Sequence, residues 1–239
     1  MADRFFSPDP PVAGQLALLG AEARHLARAR RLGLGDFIEV FDGAGHAFRA
    51  EVRGLSRDRV DLAIVGPAAP GLAAPFPLTL ATAVPKGDRF DWLIEKATEL
   101  GVERVVPLRT ERSVVEPRET KLDRLRRIIV EAAKQCGRDR LMTLERPATW
   151  AEYLQREPAR TRLVAHPGGA PAPSWPQVVA AQGAALAIGP EGGFTDEEVA
   201  SALAAGWRLA SLGGPLLRIE TAGLAGAATW LALAAGHHG

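Results

Sequence analysis

Cysteine is nearly missing from this chain: Cys136 is the one thiol among 239 residues, which rules out an internal disulfide and points to a reducing, cytoplasmic setting. No apolar run of membrane-spanning length is uninterrupted, because Gly223 and Gly226 break the alanine-rich C-terminal stretch. The opening M-A-D-R-F-F lacks the basic and apolar zones of a signal peptide. Histidine is scarce and scattered; His25, His46 and His166 show no ligand spacing, and the adjacent His237 and His238 read as a flexible end, so no metal site is expected. Three signatures are also absent. Without G-x-S-x-G there is no nucleophile elbow, and without G-x-G-x-x-G or a Walker A sequence the usual dinucleotide and nucleoside triphosphate sites are excluded.

Net charge is only +1, so the chain as a whole is no polycation. The charge is unevenly spread, however. Arg24, His25, Arg28, Arg30 and Arg31 crowd one short stretch, and residues 109 to 140 carry ten Lys or Arg against six acids. These are two candidate basic surfaces for nucleic acid, or else solvated helix faces. With 47% apolar residues the chain is globular and can bury a core.

Residues 1–70 are expected to form a small β-rich unit. After a helix near Glu22 to Leu32, the alternating runs Phe37 to Phe41 and Phe48 to Val52 flank Asp42-Gly43, a hairpin signal. A third run, Arg59 to Val65, points Val60, Leu62 and Ile64 inward, which predicts a small antiparallel barrel. The glycine- and proline-rich segment from Gly66 to Pro77 reads as a linker. From residue 71 to 239 strands and helices alternate, the texture of an α/β domain with a mainly parallel sheet. Expected there are strand Leu78 to Val84, helix Asp88 to Leu100 stopped by Gly101, strand Val102 to Leu108, and helix Glu119 to Cys136. The apolar stripe of that helix, Leu122, Leu125, Ile129, Ala132 and Cys136, places the thiol on its buried face. Thr149 with Glu152 opens a short helix as a capping box, strand Thr161 to Ala165 ends at His166-Pro167, and strand Trp207 to Leu212 leads to a closing helix from about Glu220 to Ala235.

The stretch with the most chemical content is Leu186 to Glu198, L-A-I-G-P-E-G-G-F-T-D-E-E. A short buried strand runs into a turn holding Gly189, Gly192 and Gly193, residues that open backbone angles closed to others and let a ligand approach the main chain. Thr195 and Glu198 form a second capping box for the helix that follows, which should stop at Gly206. Glu191 and the acidic first turn Asp196, Glu197, Glu198 make phosphate a poor guest and a neutral or cationic ligand a better one. The plain alternative is a tight turn before an ordinary capped helix. Two more glycine loops, His166 to Gly169 and Leu212 to Arg218, lie at strand ends in the same domain, and three such loops can enclose one ligand mostly with backbone.

Five ordered segments carry a family resemblance: K-G-D-R-F-D-W-L-I-E-K-A-T-E-L-G-V (Lys86 to Val102), E-R-S-V-V (Glu111 to Val115), E-A-A-K-Q-C-G-R (Glu131 to Arg138), I-G-P-E-G-G-F (Ile188 to Phe194) and L-L-R-I-E-T-A (Leu216 to Ala222). Together they resemble the RsmE family of the SPOUT class, S-adenosyl-L-methionine-dependent RNA methyltransferases that modify N3 of a uridine in 16S ribosomal RNA. Arg4-Phe5-Phe6, His25-Leu26 and Arg31 with Gly35-Asp36 look like that family's N-terminal PUA-like domain. The fold implied is a PUA-like β-barrel over residues 1–70 followed by a trefoil-knotted α/β methyltransferase domain over 71–239, in a homodimer. The implied cofactor residues are Ala165, Ile188, Gly189, Gly192, Gly193, Leu212, Gly213, Leu217 and Arg218, with Arg218 and Glu191 catalytic. RNA contacts are expected at Arg4, Arg24, His25, Arg28, Arg31, Lys86, Arg112, Gln135 and Arg138, on 16S rRNA within an assembled or assembling small subunit. The chain departs from the family at Gly214, Pro215 and Ile219, which replace a proline, an arginine and a threonine.

The residue inventory agrees with that chemistry. A sulfonium cation suits a loop bearing Glu191, methyl transfer to nitrogen needs no thiol nucleophile, and arginine suits the anion of a deprotonated uracil. Two other readings stay open: a related enzyme acting on another RNA or on a ribose hydroxyl, and a non-catalytic RNA-binding protein whose glycine loops are structural.

Overall fold

In the computed structural model the described residues are 3–29, 32–71, 77–116, 119–172 and 183–235. The chain divides into two compact units, one comprising Met1–Ala73 with Val130–Leu141 and the other Ala74–Ile129 with Met142–Gly239.

The first unit contains β1 (Arg4–Phe6), β2 (Gln15–Leu19), α1 (Gly20–Ala29), β3 (Phe37–Phe41), β4 (Ala47–Leu55) and β5 (Arg59–Pro67). They make a five-stranded sheet in the order β1-β3-β4-β5-β2. The hairpin of β3 and β4 forms where Asp42-Gly43 predicts it: Gly43 takes φ 75°, and Asp42 Oδ1 accepts the amides of Ala44 and His46. Burial alone would raise the Asp42 pKa, but the hydrogen bonds from His46 and Ala44 outweigh it and hold the carboxyl below its ordinary value. Alternation puts Ile38, Val40, Val52, Val60 and Leu62 into one core with Phe5, Leu16, Leu18 and Leu26.

Three expectations change here. The sheet is not wholly antiparallel, since β1 runs parallel to β3, and its hydrogen-bonded path has two ends rather than closing into a barrel. Strand β2 went unread because a five-residue strand beside a helix offers too little alternation. Gly66 and Pro67, assigned to the linker, instead extend β5 opposite Arg49 and Phe48. Of the rest of that linker, residues 72–76 lie outside the described residues, as do His237 and His238.

Residues 130–141 are tied into this unit by charge. Lys134 Nζ donates to Glu22 Oε1 at 2.5 Å and to Glu131 at 2.8 Å, while Glu22 Oε2 accepts the Phe6 amide. Asp139 pairs with Arg4 and accepts the Gly71 amide at 2.6 Å. Lys134 is therefore buried, and the helix turns Ala132, Ala133 and Lys134 inward at its end. Cys136 consequently sits half-buried rather than in the core, contrary to the stripe reading.

The second unit contains β6 (Leu78–Ala83), α2 (Arg89–Leu100), β7 (Arg104–Arg109), the start of α3 (Glu119–Cys136), β8 (Thr143–Leu144), β9 (Ala148–Thr149), α4 (Trp150–Arg156), β10 (Thr161–Pro171), β11 (Ala184–Ile188), α5 (Asp196–Ala204), β12 (Arg208–Ser211) and α6 (Ile219–Ala235). Its seven-stranded sheet runs β12-β10-β11-β6-β7-β8, with β9 also on β7, and every described pair is parallel. Every residue of β6 and β11 is buried, as parallel strands covered on both faces require, which is why both read as continuous apolar runs. Both capping boxes form as expected, and Gly101 caps α2 at φ 89°. Asp88 occupies the N-cap position of α2 without a side-chain cap bond.

Strand β10 does not stop at His166-Pro167. It resumes its ladder on β12 after a register shift between Ala165 and Ala170, and an added Cβ at Gly169 would lie 2.4 Å from the Ala210 amide nitrogen. Glycine here permits close passage of two backbones instead of ending the strand. Among the described residues no helix is long and apolar enough to cross a membrane.

Candidate active site

Neighbouring parallel strands β12, β10 and β11 bring the loops at their carboxyl ends together, the usual place for a ligand in such a sheet. The loops after β11 and β12, together with the irregular stretch of β10 that begins at Ala165, enclose a cavity of about 410 Å³. Ala165 contributes from β10; Ile188, Gly189, Glu191, Gly192 and Gly193 from the turn after β11; Leu212, Gly213 and Leu217 from the loop after β12. Among the described residues Glu191 is the only acidic or basic lining side chain apart from His166, and no Lys or Arg lines the cavity. Arg218 is exposed and outside the lining, between Leu217 and Ile219, which are in it. A larger cavity of about 590 Å³ beside α4 and α5, against Trp150 and Leu154, has no glycine loop among its walls.

The three glycines of the turn are there for three reasons. Only Gly193 takes a positive φ, 68°, closing a turn in which its amide donates to the Pro190 oxygen at 2.8 Å. Gly189 is needed because a Cβ would stand 3.0 Å from the Phe194 ring, whereas the constraint at Gly192 is the weakest, a Cβ there meeting Cδ of the exposed Arg112 side chain at 3.2 Å. The expectation of unusual backbone angles at all three is thus corrected for two of them.

The turn is anchored from behind. Phe194 is buried against Trp150, ring centroids 4.7 Å apart, and Trp150 Nε1 donates to the Glu198 oxygen at 3.0 Å. Glu198 closes the capping box through Oε2 and accepts the Glu111 amide through Oε1 at 2.9 Å. One carboxylate thereby joins the loop after β7 to the start of α5. Next to Glu111, Arg112 Nη1 donates to the Gly192 oxygen at 2.6 Å.

The residues expected to hold RNA are placed as follows. In the first unit Arg4 is half-buried, its side chain 9% exposed, paired with Asp139 and stacked 5.0 Å from the Phe41 ring centroid, so its guanidinium belongs to the internal network. Arg138 is buried, whereas Gln135 and His25 are exposed, His25 edge-on to Phe5. Arg24 is partly exposed and paired with Asp58. The Arg28 side chain and Arg31 lie outside the described residues. In the second unit Lys86 is exposed, and Arg112 is engaged with the Gly192 oxygen. Reading by residue type missed Arg89 and Glu220, which approach the cavity loops; both fall inside the K-G-D-R and L-L-R-I-E-T-A segments, the signal that contained them. Among the described residues no cluster of His, Cys, Asp or Glu could hold a metal ion.

Residues 73–231 match the RNA methyltransferase domain family, and residues 18–65 match the RNA methyltransferase PUA domain. A ribosomal RNA small subunit methyltransferase E of Synechocystis sp. is 35% identical over 231 residues, covering 90% of this chain and 72% of the relative. The chain belongs to the ribosomal RNA small subunit methyltransferase E family. The Bacillus subtilis member is 29% identical over 89% of this chain and 88% of its own. A crystal structure of the Neisseria gonorrhoeae member bound to S-adenosyl methionine superposes with a TM-score of 0.90 at 29% identity, covering 98% of each chain. A putative methyltransferase from Legionella pneumophila, in complex with the same cofactor, superposes with a TM-score of 0.88 at 28% identity over 99% of this chain and 98% of that one. As an RNA methyltransferase of this family, the chain pairs a PUA domain with a parallel-sheet methyltransferase domain.

Proposed function

We propose that this RNA methyltransferase binds S-adenosyl-L-methionine in the cavity formed by the loops after β11 and β12 and the irregular stretch of β10, and transfers its methyl group to N3 of a uridine in 16S rRNA. The observation that supports this most is the charge of the walls: backbone-rich glycine loops with, among the described residues, Glu191 as the one carboxylate and no Lys or Arg. Such walls suit a sulfonium cation and an adenine held by main-chain groups, and disfavour phosphates. When bound, the cofactor would supply an electrophilic methyl group with a neutral thioether as leaving group, for a uracil N3 whose proton is released to solvent.

The chain's own residues provide position and charge. Glu191 faces the cavity and offsets the cofactor's positive charge. Arg218, exposed at the edge of the L-L-R-I-E-T-A segment, is free to reach the substrate and stabilise the uracil anion with a fixed fork of donors. Residues 1–70 serve as the RNA-binding unit and 71–239 as the catalytic one, in a cytoplasmic homodimer with the trefoil-knotted topology of the SPOUT class that works on the assembled or assembling small subunit. Calorimetric titration tests the first step: the protein should bind S-adenosyl-L-methionine with micromolar affinity and ignore NAD and ATP. A chain that binds either nucleotide but not the sulfonium compound would refute the assignment.

A further inference from the structure

One side chain outside the cavity lining reaches both the turn after β11 and the first turn of α6, two of the elements that bound it. Arg89, the first residue of α2, places Nη2 3.8 Å from Glu191 Oε1 and Nη1 3.7 Å from Glu220 Oε1. Its Nε donates to the Lys86 oxygen at 3.0 Å, which fixes the plane of the guanidinium. Glu191 belongs to the turn after β11. Glu220 is the second residue of α6, in the helical turn that gives the lining residues Ile219 and Ala222. A single cation therefore spans two separate walls of the cavity.

Glu220 makes that span consequential. It is only 6% exposed, and its Oε2 has no hydrogen-bond partner among the described residues. A buried carboxylate needs compensation, and the ion pair with Arg89 is the one described for it. Lysine would be a poor substitute, because a compact ammonium serves one carboxylate where a planar fork serves two.

We infer that Arg89 is a positioning residue: by bridging Glu191 and Glu220 it sets the separation of the turn after β11 from the start of α6 and compensates the buried charge of Glu220, so that cofactor binding depends on it through those carboxylates. This rests on the cavity being the S-adenosyl-L-methionine site. The idea has a sign that separates it from a simple charge effect. Removing a cation near Glu191 should, by electrostatics alone, strengthen the attraction for a sulfonium. Loss of loop positioning should weaken it.

The test uses the full-length protein and the variants Arg89→Gln, Arg89→Lys, Glu220→Gln and the double variant R89Q/E220Q. Cofactor affinity is read by calorimetry, kcat and KM with small-subunit substrate, and folding by thermal unfolding. Arg89→Gln should weaken S-adenosyl-L-methionine binding about tenfold, as expected when one partner of a buried pair is removed. The RNA KM should stay within about threefold. Adding Glu220→Gln should recover part of the cofactor affinity, because no buried charge is then left without a partner. Unchanged or tighter cofactor binding in Arg89→Gln would overturn the inference. So would additive losses in the double variant, or a lower RNA affinity with a flatter salt dependence, which would make Arg89 a phosphate contact. If Arg89→Gln does not fold, Arg89→Lys decides: weaker cofactor binding in a folded protein supports the positioning role, and wild-type affinity refutes it. A wild-type protein that fails to bind the cofactor would instead refute the functional reading.

Discussion

Alanine at each of the three turn glycines should give three different results, because each glycine answers a different constraint. At Gly193 the space around a Cβ is open, so the cost is conformational: an L-residue held at φ 68° pays about 1–2 kcal/mol, roughly a 5- to 30-fold shift in an equilibrium. At Gly189 the backbone is ordinary but a Cβ comes within 3.0 Å of the Phe194 ring, and that ring is wedged against Trp150 at 4.7 Å. Overpacking against a side chain with nowhere to go costs about 1–3 kcal/mol. At Gly192 the neighbour 3.2 Å away is Arg112 Cδ, part of a flexible exposed side chain that can swing aside. The loss is then at most one solvent-exposed hydrogen bond to the Gly192 oxygen, which water replaces, on the order of 0.5 kcal/mol as for other surface changes. Thermal unfolding should therefore rank Gly189→Ala and Gly193→Ala as clearly destabilised and Gly192→Ala as nearly native. Calorimetry with S-adenosyl-L-methionine should follow the same order, since displaced turn backbone is displaced binding surface. A Gly192→Ala protein that is the least stable of the three, or a Gly193→Ala protein with native stability and affinity, would refute this reasoning.

Cys136→Ala should keep full turnover, because N-methylation uses no thiol nucleophile, and should lose less than about 1 kcal/mol, the thiol being only half-buried; methylation assays and urea denaturation check both. Tyr153 carries a deeply buried hydroxyl that among the described residues has no acceptor within strict hydrogen-bonding geometry, the Glu157 carboxylate being its nearby anionic neighbour; burial, then that charge, pushes its pKa well above the ordinary 10.0. The unfolded chain then loses this proton at a lower pH than the folded one, so the stability linked to Tyr153 is intact below the ordinary value and falls as pH rises past it. Tyr153→Phe should match or exceed native stability at neutral pH and lose less above pH ~10, measured by urea denaturation at both. A variant destabilised at neutral pH would show that the hydroxyl is bonded after all.

Local signals in the sequence were strong wherever chemistry is local. Thr149 with Glu152 and Thr195 with Glu198 close their capping boxes, Asp42-Gly43 turns the hairpin, and Gly101 stops α2 in a left-handed conformation. What periodicity could not carry were effects of partners distant in the chain. Lys134 is buried only because Glu22 meets it, and that rotation takes Cys136 out of the core. Nothing in the stripe of α3 marks the point where the helix passes from one compact unit to the other. Gly169 looks like a strand end until the Ala210 backbone is placed against it. At the candidate site the glycine loops were legible, since they follow strand ends. Arg89 was not, because its importance lies in two carboxylates that are far away in sequence and adjacent only in the fold.

The central claim is uridine-N3 methylation of 16S rRNA, and nucleoside-resolved mass spectrometry of that RNA tests it most directly, in cells lacking the gene and in the same cells with it restored. The account predicts that one N3-methyluridine disappears with the gene and returns with the native protein. An unchanged N3-methyluridine level, or the loss of a ribose or carbon-5 methyl group in its place, would contradict it.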